Sequence, residues 1–352
     1  MSAGHIERFN IVLILLSGRH SQMSTIHIRP IEAISDNDLL RLAECQNFYP
    51  YDYIRGIDKS AYISYIYSDI QSLIKRDTVS IFCAFDSTDK VCGFILAEQL
   101  HWDSEIFGFP CARIHYLLAE ENEIAYWIKK NLLTEVVLWA KEHHVKFMDI
   151  YSHPLDFSRV KAIVENGFAL IATHIHHVWD FRTGFKLEHK ITVPIRPATK
   201  EDMDNLVNID FSIFPRYSRF YLDEKLMATG KVPVMFKHWL KNSLLGIRAK
   251  GVWIVEMDNQ IVGYITSVED ERTKDTLGIR ITKGDMVGVL PNVRNKGIYT
   301  DMVATMIYWA QNYGADILEV AIHACNAPAN SLTSQLQSRV CGAHYNFHWH
   351  AE

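Results

Sequence analysis

Two hydrophobic periods alternate along this chain, and the same order of them occurs twice. HIRPIEAISDNDLLRLAE at residues 27–44 and PIRPATKEDMDNLVNID at residues 194–210 share one plan. In each, a short strand ends in Ile-Arg-Pro, a polar cap region follows, and an amphipathic helix carries Leu at helical spacing. Paired strands come next, VSIFCAFDSTDKVCGFILAE in the first half and VWIVEMDNQIVGYITSV in the second, each folding back at a polar turn. LLTEVVLWAKEHHVKFMDIYS then reads as helix and strand, FSRVKAIVENGF as helix and turn, and ALIATHIHHVWDF as a last strand. The second half repeats this with TDMVATMIYWAQNYGADILEVAIHACN, NSLTSQLQSRVCGA and HYNFHWH. Chance can give two α/β domains a similar order, but both halves also share the Ile-Arg-Pro opening and a Gly turn before an aromatic-rich final strand. FRTGFKLEHKIT loses periodicity, so the linker is expected near residues 182–192.

The length of 352 residues exceeds what one core usually supports and favours two domains. With 48% hydrophobic and 22% charged residues, both halves are able to bury a core. A net charge of −5 and a pI near 6.4 argue against binding nucleic acid through phosphates. Six scattered cysteines without a C-x-x-C pair argue against a zinc site or a disulfide scaffold and fit a reducing cytoplasm. FNIVLILLSG at residues 9–18 is shorter than a bilayer span and lacks a small-x-small cleavage pattern. Residues 1–22 are therefore expected to be an extension, with Met23 opening the first domain and no membrane role.

VGVLPNVRNKGIYTDM, residues 287–302, is the segment richest in chemistry. An apolar strand ends at Pro291, and a loop with Arg294, Asn295, Lys296 and Gly297 opens a helix continuing through Met302, Met306 and Trp309. A helix start leaves backbone N–H groups without partners and concentrates positive dipole, which suits a pyrophosphate. Gly297 permits close approach, and Arg294 and Lys296 add charge. A solvated loop without ligand carries similar residues, so the pattern alone leaves both readings open.

Val-x-Pro-x-x-Arg-x-Lys-Gly-Ile resembles the acetyl-CoA loop of the GNAT superfamily, R/Q-x-x-G-x-G/A, matched by Arg294 and Gly297 with Tyr299 where that family has a small residue. The resemblance implies an α/β (α+β) fold of two tandem GNAT-like domains, each a mixed, mostly antiparallel sheet with a central parallel strand pair and flanking helices. The first would span 23–182 and the second 193–352. It further implies acetyl-CoA as cosubstrate, held by Val287, Gly288, Val289, Arg294, Asn295, Lys296, Gly297, Ile298 and Tyr299, with Tyr299 shifting the phosphates. Residues 286–290 and 319–324 would splay to admit the pantetheine arm, with Asn326 beside it; a turn Asn closing the strand explains Asn326 equally well. EENEIAYWIKKN, at the equivalent place in the first half, is acidic and glycine-free, so that domain is expected to hold no cofactor.

LHWDSEIFGFPCARI at 100–114, SRFYLD at 218–223 and FKHWLKNSLLG at 236–246 are similar, in order, to segments of the dTDP-fucosamine acetyltransferases and their relatives. That likeness implies N-acetylation of a nucleotide-linked amino-deoxy sugar for surface polysaccharide, with Arg216, Tyr217, Arg219 and Tyr221 binding the acceptor. For catalysis, the N–H of Val289 would polarise the thioester carbonyl. Asp285, on one face with Val287 and Val289 if the strand is ideal, would accept the amine proton through water. The family's Tyr is missing from the helix after Asn326, which leaves His323 and Tyr345 as candidate acids. His344, His348 and His350 alternate as on an edge strand, and no metal is expected. Another amine acceptor, a non-catalytic coenzyme-binding protein and a homodimer stay open.

Overall fold

A computed structural model describes residues 9–14, 23–209 and 217–352, and they fold as two units. One unit is the chain up to Leu170 together with Tyr345–Glu352; the other is Ile171–His344.

In the first unit the alternating runs become β1 (Phe9–Ile14), β2 (Met23–Ile31), β3 (Val79–Phe85), β4 (Val91–Gln99), β5 (Cys111–Ala119) and β6 (Phe147–Ser152), adjacent in that order. All pairs are antiparallel except β5 and β6, which run parallel from Cys111↔Phe147 to Ile114↔Ile150. The helices are α1 (Asp36–Glu44), α2 (Lys59–Ile74), α3 (His101–Phe107), α4 (Ala125–Glu142) and α5 (Phe157–Glu165). Alternation along β4 sends Ile95 and Ala97 toward Ile128, Leu132 and Val136 of α4, and Phe94 and Leu96 toward Leu39 of α1 and Ile70 of α2. Each of the larger buried side chains contributes about 1.5–3 kcal/mol, enough to fix both helical layers on the sheet. The segment expected to be an extension supplies β1, an edge strand in register with β2 from Phe9↔Ile28 to Ile14↔Met23. The remainder of residues 1–22 lies outside the described residues.

The second unit contains β7 (Ala169–Asp180) from residue 171 onward, β8 (Ile195–Pro197), β9 (Gly251–Met257), β10 (Gln260–Asp270), β11 (Ile281–Val289) and β12 (Ile317–His323). Their order is β7-β12-β11-β10-β9-β8, with β11 and β12 the parallel pair. Its described helices are α6 (Met203–Val207), α7 (Arg219–Leu222), α8 (Glu224–Ala228), α9 (Val232–Leu244), α10 (Arg272–Leu277), α11 (Ile298–Tyr313) and α12 (Ala327–Gln335). No helix among the described residues is long and apolar enough to cross a membrane.

The two final strands change places relative to the halves of the sequence. β7 closes the sequence's first half, yet it pairs with β12 from Ile317↔Asp180 to His323↔His174. β13 (Arg339–His350) closes the second half, yet its residues 345–350 pair with β6, and Phe347 and Trp349 complete the first unit's core. Boundaries at 182 and 193 assume that each half keeps its own last strand. Period-two alternation fixes which face of a strand is buried but not which sheet edge receives it.

The polar stretch taken for a linker is strapped to α11. The buried Asp301 carboxylate accepts from His189 Nε2 at 2.7 Å, Thr192 N at 2.7 Å, Thr192 Oγ1 at 2.8 Å and Val193 N at 3.0 Å. Further along α11, the Tyr308 hydroxyl donates to His189 O at 2.6 Å, and Gln311 Nε2 donates to Phe185 O at 3.0 Å.

Candidate functional site

Where β11 leaves β12, the second unit opens. The parallel register runs from Ile281↔Ile317 to Gly284↔Val320 and stops there. Gly284 marks the last close approach, since a Cβ on it would sit 2.7 Å from Val320 Cγ1 and 3.0 Å from Met306 Cε. Just beyond, β11 carries a bulge: Ser267 pairs with Gly284 but Ile265 with Val287, so Asp285 and Met286 together oppose Thr266. Met286 N donates to Thr266 Oγ1 at 3.0 Å and Leu290 N to Val262 O at 2.9 Å, both toward β10. Backbone alternation then turns the N–H groups of Val287 and Val289 to the other side, along the splay.

The bulge corrects the expectation for Asp285. Spacing of four from Val289 places two side chains on one face only along a regular strand, and the extra residue breaks that phase. Asp285 instead forms a two-bond ion pair with Arg248, Nε to Oδ2 at 2.8 Å and Nη2 to Oδ1 at 2.7 Å. The Arg248 guanidinium in turn lies over the Trp239 ring, 4.6 Å from its centroid.

The predicted loop follows β11. Residues 291–293 make one 3-10 turn, Asn295 and Gly297 take left-handed conformations at φ 63° and 77°, and Gly297 caps α11. The first helical bond runs from Asp301 N to Gly297 O at 3.0 Å, so the N–H groups of Ile298, Tyr299 and Thr300 precede the helical ladder. Among the described residues, nothing lies within 4 Å of a Cβ placed on Gly297, which leaves room at the helix start. Arg294 Nε donates to Val289 O at 3.1 Å, tying the loop to the end of β11, and Lys296 is exposed. Tyr299 points elsewhere than expected: its hydroxyl lies 3.4 Å from Thr333 Oγ1 of α12, and burial raises its pKa. Its bulk therefore packs between helices. Asn326 is the N-cap of α12 and accepts from Ala329 N at 3.3 Å.

β12 and β7 present two different faces. Ile175, His177 and Trp179 alternate toward α12, where His177 Nε2 meets Asn330 Oδ1 at 2.8 Å and Trp179 Nε1 donates to Leu336 O at 2.7 Å. The opposite face carries Lys283, Glu319, His323, His174 and His176. Glu319, only 4% exposed, bonds through Oε1 to His176 Nδ1, and His176 Nε2 bonds to His344 Nδ1. His174 stacks on His344 at 5.1 Å and meets His323 edge-on at 5.6 Å, while Tyr217 lies 6.1 Å from His323. Burial lowers the pKa of His323; burial, the neighbouring imidazoles and Arg219 lower His174 to about 4 and His344 to about 2. Sequence reasoning found His323, read His344 as an edge-strand residue and Glu319 as part of the splay, and missed His174 and His176, although alternation in THIHH was a visible signal. Tyr345 belongs to the first unit, with Ser152 as its strand partner. Of the acceptor candidates, Arg219 lies over Phe220 at 4.1 Å and Tyr221 stacks on Phe236 at 5.5 Å; Arg216 lies outside the described residues.

The corresponding helix of the first unit, α4, carries a buried cation. Lys129 of α4 is fully buried and bonds to Glu121, to Asp156 Oδ1 at 3.2 Å and to Ser158 Oγ at 2.8 Å. Glu121, before α4, and Asp156, the N-cap of α5, thus neutralise an internal cation.

Comparison with known proteins agrees with this geometry. Residues 211–336 match the model of the acetyltransferase (GNAT) family. No curated protein matches the chain. Among solved structures, it superposes on a GCN5-related N-acetyltransferase from Sphaerobacter thermophilus with a TM-score of 0.57 at 13% identity, covering 92% of this chain and 95% of that one. A tandem GNAT protein from the clavulanic acid biosynthesis pathway gives 0.55 at 12% identity, covering 93% and 99%. A fungal multi-domain GH3 β-N-acetylglucosaminidase, described as containing a GCN5-related glucosamine N-acetyltransferase region, gives 0.59 at 13% identity, covering 94% of this chain but only 39% of that longer one. The fold is that of two tandem GNAT-like domains of mixed α/β structure.

Proposed function

We propose that this protein is an acetyl-CoA-dependent N-acetyltransferase, its second unit binding the coenzyme, and that its acceptor is the amine of a nucleotide-linked amino-deoxy sugar. The observation that carries the coenzyme reading is the open helix start at Gly297 beside a strand pair that parts at Gly284. The donors suit a diphosphate: the amides of Ile298, Tyr299 and Thr300 and the positive end of α11 supply fixed partial charge, and Lys296 adds a mobile one. Val287 and Val289 offer backbone groups along the splay, where an extended arm adds as a further strand does. When bound, acetyl-CoA supplies an acetyl group activated as a thioester. The chain's part is to orient it, with the Val289 N–H facing the acetyl carbonyl, and to hold an amine against it.

The acceptor class rests on the three ordered motif similarities at residues 100–114, 218–223 and 236–246, and on Tyr217, Arg219 and Tyr221, which offer aromatic surface and charge to a nucleotide. The fungal neighbour's glucosamine is likewise an amino sugar.

Purified protein mixed with acetyl-CoA and a panel of dTDP-linked amino-deoxyhexoses should release free thiol. Turnover with a peptide or polyamine alone would move the acceptor to another class, and binding without turnover would leave a coenzyme-binding protein. Gly297→Val adds a β-branched side chain at φ 77° and should abolish the thermal stabilisation that CoA gives the wild type.

A further inference from the structure

The two units share one register to the residue. The parallel pair runs from Cys111↔Phe147 to Ile114↔Ile150 in the first and from Ile281↔Ile317 to Gly284↔Val320 in the second, a constant step of 170 residues. The turn after the pair keeps that step. His153 Nδ1 accepts from Leu155 N at 3.2 Å, and His323 Nδ1 accepts from Cys325 N at 3.2 Å. Asp156 Oδ1, capping α5, accepts from Arg159 N at 3.0 Å; Asn326 Oδ1, capping α12, accepts from Ala329 N at 3.3 Å. Arg159 therefore stands where the second unit has Ala329, in the first turn of the helix that follows the strand pair. The first unit's pair parts too. Its pairing stops at Ile114, and β5 bulges at His115, since Leu96 pairs with Tyr116 and Ala97 with Ile114.

Arg159 brings a charge to this place without a bond to hold it. Its Nε is sealed from solvent and has no hydrogen-bond partner, and among the described residues its guanidinium forms no ion pair. The residue as a whole is half-buried, not enclosed. Asp156, Glu121 and Tyr116 are the ionisable groups that act on it, and burial holds its pKa down in spite of all three. Glu121 and Asp156 are both bonded to Lys129, and the Tyr116 hydroxyl donates to Asp69. By contrast Arg113, on β5 before the parting, is clamped to Asp149 by two bonds of 2.7 Å. α5 packs through Ala162 and Ile163 on the face covered by α4, whereas Tyr116 belongs to the core on the α1 and α2 face. Electrostatic contact between Arg159 and Tyr116 thus runs across the sheet where β5 and β6 have separated.

We propose that the parting of β5 and β6 is a binding site for a small oxyanion, a carboxylate or a phosphoryl group, received by the Arg159 guanidinium. Its fork of N–H donors matches either group with two parallel bonds, and the bound anion supplies the partner that Glu121 and Asp156, tied to Lys129, do not. The site differs in kind from the coenzyme site: Trp127 takes the place of Gly297, so anion recognition falls to a side chain and not to an open helix start. It stands whether or not the second unit transfers acetyl groups.

The test uses the full chain at fixed ionic strength, with chloride as the reference salt and inorganic phosphate, malonate or acetate as probes. With at least one oxyanion, hydrogen exchange should slow in residues 111–119 and 153–165. The first unit's melting temperature should rise by about 3–5 °C at tenfold excess over Kd. Arg159→Met keeps the unbranched stem and removes the charge. It should melt no lower than the wild type in chloride, because an unpaired charge is gone, and should show neither the protection nor the shift. Arg159→Lys keeps the charge without the fork and should retain only part of the shift. A response to phosphate alone assigns a phosphoryl ligand, a response to malonate or acetate alone a carboxylate, and a response to both the shared oxyanion. Equal responses in the wild type and Arg159→Met would mean that the salts act generally or elsewhere, and the site fails. It fails too if no oxyanion protects those segments, or if Arg159→Met melts well below the wild type in chloride, which would make the guanidinium a structural strut.

Discussion

Asp301 shows how one side chain sets the position of the loop. It sits in the first turn of α11, where a carboxylate suits the helix dipole, and four donors from residues 189–193 converge on it. Burial pushes its pKa up, but the bonds from His189, Thr192 and Val193 more than offset this and hold it below the usual carboxylate range. Asp301→Asn replaces a charged acceptor by a group that turns an NH₂ toward donors. The expected cost is about 2–3 kcal/mol, or a melting temperature lower by roughly 5–10 °C. A folded-state pKa below the unfolded one means that the carboxylate's contribution is complete above about pH 4 and is lost as pH falls through the lowered value. The gap between wild type and variant should therefore be flat at neutral pH and narrow in acid, and melting curves across pH 3–7 check this. None of it was legible in FKLEHKIT, whose polarity suggested a tether: two of the four donors are backbone N–H groups, which every sequence carries, and the other two are ordinary polar side chains.

At the scale of elements, both hairpins and the loop at Gly297 follow from period-two runs, a Pro at 291 and a Gly before a helical stripe, all local signals, whereas the parallel pairs were expected only from the family resemblance. The bulge at residues 285–286 was not legible, because a bulge is a mismatch between two strands and neither strand states it alone. That is why Asp285 was expected beside Val287 and Val289 and is found with Arg248. Tyr299 was misjudged for a related reason: position in a motif does not tell where a side chain on the first helical turn points, and α12 offered Thr333. Gly284 is the element-level control on the splay. In Gly284→Val, Cβ would meet Val320 and Met306 at 2.7–3.0 Å, forcing β11 and β12 apart below the point where they separate. The expected result is a loss of about 1–3 kcal/mol in stability and a CoA-induced thermal shift cut by at least half, read in the same differential scanning experiment. An unchanged shift would mean that the spacing of the two strands does not govern coenzyme binding.

At the scale of the whole molecule, tandem architecture was readable from the repeated plan, and the exchanged last strands were not. A chain ending after His344 would keep every described element of the second unit but leave the β6 edge bare and remove Phe347 and Trp349 from the first unit's core. Such a truncation should lose the first unit's unfolding transition and aggregate through the exposed edge, while a CoA-induced shift of the second unit persists in the soluble fraction. Calorimetry with size-exclusion chromatography checks both. Retention of both transitions would show that β13 is dispensable to the first sheet.

The exchange also bears on how this protein is born. Translation delivers β6 long before residues 345–350, and the whole of the second unit is made in between. A ribosome-bound chain must therefore carry an unfinished hydrogen-bonding edge on its first unit for most of its synthesis, and any stop before residue 345 would leave that edge bare, whether or not the second unit is complete.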